Sequence, residues 1–147
     1  MSAFQIAKTD DAEHLVFGYA SVAVTKDGSD LEDTQGDIIP PAELESAAYD
    51  YVLTSRASDE MHDQEISGQL VESVVFTPEK LEAMATDPTT GKADPELLKT
   101  LTAAFPPRWW VGFKLDPSAY AGVKSGKYTM FSIGATAERI PAEQAAA

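Results

Sequence analysis

Two residue types in this chain can form a nucleophile and its base. The stretch "YTMFSIGATAER" (128–139) alternates as a strand does. Phe131, Ile133, Ala135 and Ala137 make one apolar set; Tyr128, Met130, Ser132, Gly134 and Thr136 make the other. A strand that only packed would favour a β-branched or aromatic residue at 132. A serine hydroxyl is a poor nucleophile until a neighbouring imidazole takes its proton. The chain has two histidines, and an unperturbed pKa of about 6.5 suits either to that task. His14 precedes a strand candidate among Asp and Glu and reads as a solvated residue. His62 lies in "EMHDQ", at the end of a strand candidate and before a loop. A lone histidine is more often structural or merely exposed. Pairing with Ser132 gives His62 a chemical purpose, and a sheet permits that pairing. Gly134 would then let a substrate backbone approach, or supply an N–H near a developing oxyanion. Taken alone, it reads first as a bulge or a point of close packing.

Other chemistries find less support. "FSIG" departs from the G-x-S-x-G elbow, because Met130 stands where that motif needs glycine. No cysteine is present, which removes thiolate metal sites, disulfides and a Cys nucleophile. The acidic run "DGSDLEDTQGD" fails the EF-hand register: with Gly36 at the turn position, Leu31 and Ala42 fall on the two end ligands. No two histidines have zinc-ligand spacing, so neither a metal nor any other cofactor is expected. A glycosidase pair of carboxylates has nothing to single it out among 24 acids. In a strand, the rings of Trp109 and Trp110 point to opposite faces. One reads as core and the other as cover for a helix or rim.

The elements that must position these groups follow from pattern and punctuation. The 147 residues suffice for one domain, and no composition break divides them. "HLVFGYASVAVT" (14–25) reads as a long strand with Gly18 as bulge or bend. Residues 26–41 form a turn-rich acidic loop. The segment 41–56 reads as a helix, with Pro41 in its first turn, Arg56 near its end, and Leu44, Ala48, Tyr51 and Val52 as its buried stripe. Residues 60–76 read as a strand, a connection at Gly68 and a second strand. Thr77-Pro78 and Asp94-Pro95 open two more helices (77–85 and 94–105), and 109–115 is a strand. Asp116 caps a short helix ending near Gly126, and the tail 141–147 has nothing to pack with and should fray. The fold class is α+β: a mostly antiparallel sheet, or a small β-barrel, flanked by helices. The net charge of −13 argues against nucleic acid and against an anionic membrane surface. No apolar run approaches the roughly 20 residues of a membrane span, and the first residues lack the pattern of a signal peptide.

Several segments in order resemble the phage prohead (capsid maturation) proteases, specifically the XkdF-like serine proteases. They are "DTQGDIIPPAELESAAYDYV", "EMH", "LVESVVFTPEK", "WWVGFKL" and "VKSGKYTMFSIGATAER". That group is similar in turn to the herpesvirus assemblins. The resemblance implies a compact β-barrel flanked by helices and a serine nucleophile paired with histidine. The family's histidine falls on His62 and its serine on Ser132. It implies cleavage of phage scaffold and major capsid proteins, and of the protease itself, inside the immature capsid in the host cytoplasm. Assemblins carry a second histidine after the serine, and this chain has none beyond 62. An acid must replace it: Glu72 first, on a strand beside the one bearing His62, then Glu138, then Asp59 and Asp63. Glu72 reads equally well as a rim carboxylate. Backbone N–H groups around Ile133 and Gly134 are the candidate oxyanion donors. The competing reading is a non-catalytic virion module that binds capsid or scaffold through its sheet. Either reading is compatible with a homo-oligomer.

Overall fold

The structure, a computed structural model, describes residues 6–22, 40–59 and 66–128. In chain order these form β1 (Ile6–Asp10), β2 (Leu15–Val22), α1 (Pro41–Thr54), β3 (Ala57–Asp59), β4 (Ile66–Val75), α2 (Pro78–Ala85), α3 (Pro95–Ala104), β5 (Arg108–Leu115) and α4 (Pro117–Lys124). The strands make one sheet in the order β1-β2-β5-β4-β3, with every neighbouring pair antiparallel. This is the α+β class expected from the sequence. The barrel alternative is corrected: among the described residues the sheet is open. Closure needs the two edges to pair, and here β1 and β3 are not paired with each other.

The core lies on one face. Period-two alternation in β5 turns Trp109, Val111 and Phe113 inward, beside Val16 and Ala20 of β2 and Val75 of β4. Helix α1 covers them with Leu44 and Ala48, and the Tyr51 ring meets Trp109 edge-on at 5.6 Å. The expected stripe of α1 is thus the one used, with Tyr51 and Val52 half-buried at its margin. Three helices start on the expected caps. Thr77 Oγ accepts from Lys80 N–H, Asp94 Oδ1 from Glu96 and Leu97 N–H, and Asp116 Oδ1 from Ala119 N–H.

Four local expectations change. The segment 60–76 holds no break at Gly68: β4 runs unbroken from Ile66, because buried Gly68 pairs with Ser58 on one side and Leu115 on the other. Helix α1 stops at Thr54; Arg56 takes a left-handed φ of 57°, and its carbonyl accepts from Leu70 N–H at 2.8 Å. Gly18 pairs regularly with Val111; the slips fall beside it, between Tyr19 and Ser21 in β2 and between Ile6 and Lys8 in β1. His14 is not simply solvated. It is half-buried at a φ of 55°, and its ring stacks on Tyr120 with centroids 4.9 Å apart.

Candidate functional site

The face of the sheet opposite the core carries a second set of side chains. Phe17, Tyr19, Val74, Trp110 and Glu72 share it, by alternation from the inward-facing residues and by register. Tyr19 and Trp110 meet edge to face at 5.2 Å, and the Arg108 guanidinium lies 5.1 Å from the Tyr19 ring centre. The buried Nε of Arg108 has no hydrogen-bond partner. Trp110 Nε1 donates to Glu72 Oε2 at 3.3 Å. The Trp doublet therefore divides as expected, with Trp109 in the core and Trp110 on the rim. Glu72 is exposed and stands opposite Gly112, where a β-carbon would meet the Phe17 ring at 2.7 Å and Glu72 Cβ at 3.3 Å.

His62, Ser132, Ile133 and Gly134 lie outside the described residues, as do Asp63 and Glu138; of Asp59 only the backbone is described. What the structure gives is the footing on either side of the expected pair. Before and after residues 60–65, Asp59 of β3 and Ile66 of β4 are paired across the ladder. Before Ser132, the chain is anchored at Tyr128: Lys127 N–H and Tyr128 N–H both donate to Gly122 O, at 2.9 and 3.2 Å. Glu72 stands six positions along β4 from Ile66, about 20 Å at 3.3 Å per residue. Among the described residues, no group of three His, Cys, Asp or Glu side chains is placed to hold a metal ion. No helix among them is long and apolar enough to cross a membrane.

Sequence reasoning passed over Ser73. Its Oγ accepts from the buried Trp109 indole at 2.9 Å, so it holds β4 and β5 in register from the core side. A serine among valines in "LVESVVF" is the only signal the sequence offers for it.

The family described as "Putative phage serine protease XkdF" matches residues 3–141, nearly the whole chain. The chain belongs to this family. A relative, the "Uncharacterized protein YqbD" of Bacillus subtilis (strain 168), is 27% identical over 140 residues. That alignment takes in 95% of this chain and 36% of the relative, so the chain spans little more than a third of the relative's length. No solved structure matches the chain. The XkdF name points to a phage-encoded serine peptidase, and the matched span includes both His62 and Ser132.

Proposed function

We propose that this chain is a serine endopeptidase that cleaves scaffold and capsid proteins during phage prohead maturation. The observation that carries the reading is the XkdF match over residues 3–141, which takes in Ser132 and His62. Ser132 Oγ attacks the scissile carbonyl carbon while His62 accepts its proton. The oxyanion that forms is held by backbone N–H groups, for which Ile133 and Gly134 are the candidates. His62 then gives the proton to the leaving amine, and water completes the second half by the same route. Glu72 is exposed and already offers an oxygen to Trp110. That is the setting of a rim carboxylate, so the reading rests on the serine–histidine pair, with Glu72 as an orienting acid to be tested separately.

The test uses a fluorophosphonate probe and the scaffold protein of the same phage. Covalent labelling mapped to Ser132, with scaffold cleavage abolished in Ser132→Ala and His62→Ala, is the expected result. Cleavage that persists in Ser132→Ala places the nucleophile elsewhere. A chain that binds scaffold but neither labels nor cuts is the non-catalytic assembly module.

A further inference from the structure

Helix α1 turns Leu44 and Ala48 onto the core, and another stripe of it stands in solvent. Tyr49 is 51% exposed and Leu53 73%, the highest value among the described large apolar residues. Four positions apart, they lie one turn from each other on the same side. Helix α2 reaches this stripe through Lys80, whose Nζ lies 5.1 Å from the Tyr49 ring centre and 2.7 Å from Glu45 Oε2. Met84, one turn beyond Lys80 on α2, is 55% exposed. Leu53, Tyr49, Lys80 and Met84 therefore run on from one another across two helices. The fold is held by other residues: α1 buries Leu44 and Ala48, and α2 buries Leu81 and Ala85. Single exposed apolar residues are ordinary, whereas a continuous set marks a contact surface.

The charge around this line has one sign. The two helices carry Glu43, Glu45, Asp50, Glu79 and Glu82 against a single basic residue, Lys80. That ammonium is already engaged: besides pairing with Glu45 it donates to Val75 O at 2.9 Å. At about 100° per residue, Glu43 and Asp50 fall together on the flank of α1 beside Tyr49 and Leu53, away from the core. Glu79 falls on the flank of α2 beyond Lys80 and Met84. All three are exposed. Acidic margins on both sides repel a second copy of this face, an anionic membrane and nucleic acid alike. They attract Lys and Arg.

We propose that the Tyr49–Leu53–Met84 surface docks an amphipathic polypeptide segment carrying Lys or Arg beside large apolar residues, and that this segment belongs to the scaffold protein. The naming of scaffold rests on the proposed function; the chemistry of the segment rests on the two helices alone. Aromatic and Met side chains are types that interface centres favour, Met because it adapts its shape to a partner. Apolar contact supplies most of the affinity. The carboxylates set which segments are accepted and speed their encounter.

The experiment uses the Ser132→Ala chain, so that docking is read without catalysis. Overlapping peptides tiled across the scaffold protein of the same phage are titrated in, and the methyl NMR resonances of Leu53 and Met84 are followed. The expected result is that at least one peptide with both basic and large apolar residues binds and shifts both resonances. Leu53→Ser and Met84→Gln, at exposed positions that the fold does not use, should each weaken that peptide about tenfold. Asp50→Lys and Glu79→Lys should weaken it at low salt and have less effect at high salt, where screening has already removed the attraction. The proposal is overturned if no scaffold peptide binds, or if a bound peptide leaves both methyl resonances unmoved. Affinity unchanged in all four variants overturns it too, as do shifts that follow the concentration of the chain without peptide. Fluorophosphonate labelling of the chain that keeps Ser132 reads the peptidase reading separately: absence of label counts against that reading, whatever the peptides do.

Discussion

The ring of Tyr128 fills the space where a β-carbon on Gly122 would stand: Cε2 lies 2.3 Å and Cδ2 2.5 Å from that position. Gly122 is the sixth residue of α4, and its carbonyl also receives the N–H groups of Lys127 and Tyr128. One glycine thus fixes both the backbone and the ring at the last described position before Ser132. Gly122→Ala raises helix propensity but forces Tyr128 away. On the proposed peptidase reading, with Ser132 as nucleophile, kcat on scaffold protein should fall about tenfold or more, with KM little changed. Steady-state kinetics beside a circular-dichroism spectrum check this; unchanged kcat would show that the Tyr128 anchor has no bearing on the site.

Activity should follow the charge of one imidazole. With His62 as base, kcat/KM should drop about tenfold for each pH unit below roughly 6.5, the unperturbed histidine value, and level off above it. A profile flat between about pH 5 and pH 8 would exclude a histidine base.

Glu72→Gln separates two roles for this carboxylate. An acid that orients a catalytic histidine is worth on the order of 10⁴-fold in kcat. From its exposure and its bond to the Trp110 indole, the expected loss is less than tenfold. Turnover of the Gln variant with scaffold protein decides between them.

Packing on the second face gives a stability prediction. Gly112→Ala would drive a methyl to 2.7 Å from the Phe17 ring, which is itself buried beneath Lys8. The expected cost is about 1–3 kcal/mol, from overpacking. Urea unfolding should show a lower midpoint with an unchanged slope.

The Glu45–Lys80 pair predicts an acid-side loss of stability. The hydrogen bond from Lys80 holds the Glu45 carboxyl below its ordinary value of 4.5. Burial by itself would lower Lys80, but its bonds to Glu45 and Tyr49 outweigh this and raise it. A depressed carboxylate contributes stability that is present above 4.5 and lost as pH falls through its folded value. The raised ammonium contributes below 10.5 and is lost only as pH rises through its higher folded value. Unfolding midpoints at about pH 6 and about pH 3 should therefore diverge less in Lys80→Met than in the parent chain.

The starts of the helices were legible because their causes are local. Thr77, Asp94 and Asp116 each cap a backbone N–H two or three residues on, so the signal sits within a few letters of its effect. Alternation in "WWVGFKL" likewise divides Trp109 from Trp110 without knowledge of any partner. Ser132 and His62 were singled out by the chemistry of their side chains and by likeness to a family, both of which reside in the letters. Strand partnership does not. Gly68 reads as a break until Ser58 and Leu115 are found on its two sides, and His14 reads as solvated until Tyr120 stacks against it. The strand order β1-β2-β5-β4-β3, open among the described residues, belongs to the same class. It is made by main-chain hydrogen bonds between distant segments, and every residue but proline carries the same N–H and C=O, so side-chain identity says little about which strands pair.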